Sequence, residues 1–71
     1  MGSAYTPTER TRRWFLNNEG LFNDLRSYKR KYGVTLGAEE LYKRLQNDNC
    51  LALPDGTVMT KAGIKRAMSA A

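Results

Sequence analysis

The sequence contains no histidine and a single cysteine, Cys50. The first absence removes the commonest general base and the commonest metal ligand. The second excludes an internal disulfide and a cysteine-rich zinc site, and a lone thiol fits a reducing, cytoplasmic setting. No apolar run approaches the roughly 20 residues of a membrane-spanning helix, and no signal peptide is expected ahead of the domain. Internal repeats and low-complexity linkers are missing too. With 71 residues, the chain is too short for a Rossmann domain, a TIM barrel or a two-domain enzyme.

What remains is ordinary globular composition, 41% hydrophobic and 27% charged. A domain near this size buries only about 60% of its unfolded surface. Its single core supplies about 3 to 5 kcal/mol. Almost every large apolar side chain is therefore expected inside. Residues 1–5 are expected as a flexible N-terminal segment, and residues 6–71 as one small globular domain.

Helix signals recur along the chain. Thr6-Pro7-Thr8-Glu9 has the form of a capping box, with Thr6 at N-cap, Pro7 at the first helical position and Glu9 three residues beyond the cap. That helix runs through Trp14, Phe15 and Leu16 to a break at Asn17-Asn18-Glu19-Gly20. Asn18 is the expected N-cap of a second helix. Its stripe of Leu21, Phe22, Leu25, Tyr28 and Tyr32 has helical spacing, and Gly33 ends it. A third helix is expected after a Thr35 N-cap, burying Ala38, Leu41, Tyr42 and Leu45 and ending at Asn47-Asp48-Asn49. Next, Cys50-Leu51-Ala52-Leu53 and Thr57-Val58-Met59 flank the turn signal Pro54-Asp55-Gly56. This reads as a short β-hairpin, with Cys50 a buried small hydrophobe. Thr60 caps a last helix with Ile64, Ala67 and Met68 on one side. The expected fold is mainly α with a short β-hairpin, in the order helix, helix, helix, hairpin, helix.

Catalysis finds little in these residues. Glu39 and Glu40 are adjacent and diverge on a helix. The other acids, Glu9, Glu19, Asp24, Asp48 and Asp55, fall at caps, helix surfaces or a turn. Cys50 has no histidine to activate it, and the glycines are too scattered to cradle a phosphate. The chain is read as non-enzymatic, with no cofactor, no metal and no small-molecule substrate.

Charge is the informative property. Net charge is +5, and residues 1–33 hold seven Lys or Arg against three acids, whereas residues 34–71 hold five against four. Two clusters carry the excess: Arg10, Arg12 and Arg13, then Arg26, Lys29, Arg30 and Lys31. Such density suits phosphates or an acidic protein surface, although a solvated helix face needs no partner. Trp14 joins the candidate partner-binding set, because Trp14 and Phe15 cannot both face the core and tryptophan is a frequent interface anchor. Tyr5, outside the helices, is the ring most expected to be exposed. A second set, Lys43, Arg44, Lys61, Lys65 and Arg66, gives candidate nucleic-acid contacts if the third helix and hairpin act as a winged helix would.

In size and basic character, from Trp14 to Gly33 and from Gly37 to Leu45, the chain resembles small bacteriophage-encoded regulators that bind bacterial RNA polymerase. The resemblance rests on overall character rather than a diagnostic motif and transfers no contact residue. It implies a transcription regulator acting on host polymerase, or another acidic protein surface, in the bacterial cytoplasm, with no membrane partner. The alternative is a winged-helix-like protein touching DNA directly. A structural subunit that only self-associates is a third reading.

Overall fold

The structure is a computed structural model, and it describes residues 6–71. The expected N-terminal segment 1–5 and Tyr5 lie outside the described residues. Four helices follow one another: α1 (Pro7–Leu16), α2 (Glu19–Tyr32), α3 (Val34–Asn47) and α4 (Lys61–Ala70). Helix α4 packs on α1 and α3, and α2 packs mainly on α3.

Local chemistry sets most boundaries. Thr6 Oγ1 accepts from the Glu9 N–H, Asn18 Oδ1 from the Leu21 N–H, and Thr60 Oγ1 from the Gly63 N–H. Each bond satisfies one of the orphan donors at a helix start. The Thr35 cap does not form. A single residue, Gly33 at φ 87°, ends α2 and also starts α3, which has no side-chain cap. A side chain at that φ would be strained, so glycine decides this corner. At the far end of α3, Asn49 takes φ 55° while its N–H donates to the Gln46 carbonyl. The Cys50 N–H donates to the Leu45 carbonyl, completing a Schellman cap with asparagine in the left-handed position.

No strand and no sheet form among the described residues, so the expected β-hairpin is corrected to a turn loop. The turn itself is there: the Gly56 N–H donates to the Leu53 carbonyl at 2.9 Å. Pairing beyond it stops at one antiparallel bridge, Ala52 to Val58. The reason lies in where a donor of the second arm goes. The Thr57 N–H, which the register would aim at the Leu53 carbonyl, donates to Asp55 Oδ1 at 2.9 Å instead. An isolated ribbon is marginal anyway, and here Leu53 and Met59 turn into the helical core instead. Cys50 is exposed rather than buried, its thiol donating to the Asp48 carbonyl at 3.3 Å.

The core consists of Phe15, Leu25, Ala38, Leu41, Leu53, Met59, Ile64, Ala67 and Met68. At the α1–α4 crossing the backbones come close. A Cβ on Gly63 would stand 2.6 Å from the Thr8 carbonyl oxygen and 2.5 Å from Thr11 Cβ. Thr11 is the one buried polar residue there. Its hydroxyl donates to the Pro7 carbonyl at 2.8 Å and accepts from the Thr60 N–H at 3.2 Å. Thr8 and Thr60 share a hydroxyl–hydroxyl bond of 3.0 Å beside it.

Candidate binding surface

The fold sorts the basic residues differently from their order in the chain. The α1 cluster disperses. Arg10 reaches across to Asp55 in the α3–α4 loop, Nη1 to Oδ2 at 2.7 Å. Arg12 and Arg13 both pair with Glu9, at 2.6 and 3.3 Å. These partners hold both acids in their charged form. The Glu9 carboxyl lies below its ordinary pKa, chiefly because the Arg12 guanidinium donates to it. The Asp55 carboxyl is also lowered, first by the Thr57 backbone N–H and then by the Thr57 hydroxyl and Arg10. Much of the α1 charge is thus answered within the chain.

The α2 cluster divides between two faces. Arg26, Lys29 and Arg30 fall at i, i+3 and i+4 and line a hollow against Ala71 at the end of α4. Lys31 points the other way, toward Tyr28, Tyr32 and Arg44 in the α2–α3 groove. Lys29 has a structural duty, since Nζ donates to the Ala71 carbonyl at 3.1 Å and so caps α4 from a neighbouring helix. Arg26 and Arg30 are exposed and have no ion-pair partner among the described residues.

On the other side of the last turn of α4, Arg12, Lys65 and Arg66 line a second hollow with Ser69 and Ala70. Ala71 lines one hollow and Ala70 the other, so both lie at the C-terminal end of α4. Cations from α1, α2 and α4 thus gather as a belt around the C-terminal turn of α4, and neither hollow has an Asp or Glu side chain in its lining. Lys61 sits at the opposite end of α4. Lys43 approaches Glu40 at 3.9 Å, and Arg44 donates to Tyr28 Oη at 3.1 Å.

Of the adjacent rings in α1, Phe15 is fully buried and Trp14 is half-buried against the core. Tyr32, expected in the apolar stripe of α2, is 38% exposed. Its place at i+11, in the last turn of the helix, is the sequence signal that it overshoots the core. Joining Arg12 to Lys65 and Arg66 depends on the α1–α4 crossing, which no spacing within one helix reveals.

No helix among the described residues is long and apolar enough to cross a membrane. No family model matches the sequence, and no characterised protein or solved structure is significantly similar to it.

Proposed function

We propose that the protein is a non-enzymatic regulator that docks its basic belt on an acidic surface of bacterial RNA polymerase in the host cytoplasm. One observation supports the surface: Arg26 and Arg30, one turn apart on α2, stand exposed with no Asp or Glu side chain in the hollow they line. Like charges at i, i+4 cost a helix about 0.2 to 0.5 kcal/mol. No ion pair among the described residues offsets that cost. A locally unfavourable arrangement of this kind fits a surface kept for a partner. The partner class comes from the resemblance to small phage-encoded regulators, which act by occupying a surface and need no catalytic group.

The winged-helix alternative loses support. Its wing would be the α3–α4 loop, which forms no strands and carries Asp55 at its turn, already engaged by Arg10. A carboxylate there would repel a phosphate.

The test is retention of purified bacterial RNA polymerase on the tagged protein at moderate salt, with nuclease present. Wild-type protein is expected to hold the polymerase. The Arg26→Glu, Arg30→Glu variant is expected to keep its helical circular dichroism and lose the polymerase. Absence of retention, or retention indifferent to the charge reversal, would overturn the reading.

A further inference from the structure

The belt leaves out a cluster on the opposite side of α2. Ser27, Tyr28, Lys31 and Tyr32 fall at i, i+1, i+4 and i+5, forming one strip along the helix. Arg44 of α3 faces them, and together they line a hollow of about 250 Å³. The Tyr28 and Tyr32 rings lie 5.8 Å apart between centroids, tilted by 37°. Lys31 Nζ stands 5.4 Å from the Tyr32 centroid. Arg44 Nη1 donates to Tyr28 Oη, which fixes the guanidinium at the lip. No carboxylate lines this hollow. Glu40 and Asp48 enter only the adjoining one, which shares Tyr28, Tyr32 and Arg44.

A chain so short of core would be expected to bury a tyrosine. Tyr32 instead keeps more than a third of its surface in water, beside two cations. The flexible Lys31 ammonium lies over the exposed Tyr32 ring. Swung onto a phosphate, it leaves the ring to a base, so the pair meets both needs of single-stranded nucleic acid, a platform and a charge. A duplex offers only its backbone, because its bases are already stacked on one another.

We propose that the α2–α3 hollow binds single-stranded nucleic acid, with a base stacked on Tyr32 beside Tyr28 and the adjoining phosphate held by Lys31 and Arg44. The carboxylates of Glu40 and Asp48 exclude phosphate from the far side, so the strand enters along Lys31. This site is separate from the belt and does not rest on the polymerase reading.

The experiment is fluorescence anisotropy of a short fluorescein-labelled oligothymidylate titrated with the whole chain at low salt, beside its duplex with oligoadenylate. The single strand is expected to bind more tightly than the duplex. Tyr32→Ala should weaken single-strand binding about 5- to 150-fold, the range for loss of one stacked base. Tyr32→Phe should retain it, since stacking needs the ring and not the hydroxyl. Lys31→Ala should weaken binding and flatten its salt dependence. Amide shifts in the wild-type protein should concentrate at residues 27–32 and near Arg44, a readout that needs no variant to fold. Failure of the oligonucleotide to bind, equal affinity for the duplex, or shifts confined to the belt would each overturn the proposal.

Discussion

Thr11 is small, polar and wholly buried, and it ties α1 to the start of α4 through one hydroxyl. Replacing it with valine keeps the shape and removes both bonds. The Thr60 N–H then lacks its acceptor in a partly buried place, so Thr11→Val should cost about 1 to 3 kcal/mol. Urea unfolding followed by circular dichroism measures this, and an unchanged midpoint would remove the hydroxyl from the account. Gly63 serves the same crossing by having no side chain. Gly63→Ala sets a methyl against the Thr8 carbonyl, a backbone group that cannot swing aside. Overpacking of this kind costs about 1 to 3 kcal/mol. Because both sites share one contact, the two losses should not add, and the double variant measures the coupling. At the surface, Glu9 and Asp55 have carboxyl pKa values lowered by folding. A group whose folded pKa is depressed contributes stability above its unfolded pKa and loses it as pH falls through the folded value. Thermal stability should therefore fall on acidification below the ordinary carboxylate range. Glu9→Gln with Asp55→Asn should flatten that fall, and an unaltered acid limb would assign it to other carboxylates.

Among the elements, what local chemistry fixes was legible in the sequence, and what tertiary competition fixes was not. Thr6, Asn18 and Thr60 are caps that a reader can find, because the acceptor and its donor lie within three residues. The α3 start was misplaced to Thr35, since the sequence does not reveal that one glycine can close α2 and open α3 together. Pro54-Asp55-Gly56 does make its turn. The strands stop short because the Thr57 N–H turns back to Asp55 and because Leu53 and Met59 are drawn into the helical core, the second a matter of long-range packing. The stripe of α2 was correct at Leu25 and wrong at Tyr32, where the helix outruns the core. Leu25 is fully buried, so Leu25→Ala should cost about 2 to 5 kcal/mol. With a core this small, that loss should unfold much of the population at room temperature, visible as lost helical circular dichroism. A fully helical Leu25→Ala protein would show that the core relaxes around the cavity.

At the scale of the whole molecule, α2 is the element that faces both ways. Arg26 and Arg30 look to the belt, and Lys31 and Tyr32 to the groove against α3. The structure thus groups the basic residues differently from the two clusters visible in the sequence: α1 answers much of its own charge through Glu9 and Asp55, while Arg12 joins Lys65 and Arg66 across a helix crossing. This regrouping changes which substitution is informative. Reversing Arg12 and Arg13 to glutamate would crowd acids around Glu9 and disturb α1 itself. Reversing Arg26 and Arg30 breaks no ion pair among the described residues. It exchanges one like-charge pair at i, i+4 for another and places acidic charge in the last turn of α2, so thermal stability should hold or fall slightly. The two surfaces should then separate by ligand. Arg26→Glu with Arg30→Glu should abolish polymerase retention and lower oligothymidylate affinity only through long-range charge, an effect that fades as salt is raised. Tyr32→Ala should leave polymerase retention intact and weaken the oligonucleotide at every salt concentration, because lost stacking is not screened. Parallel losses of both ligands in both variants would mean that the chain has one binding face, reached from either side of α2.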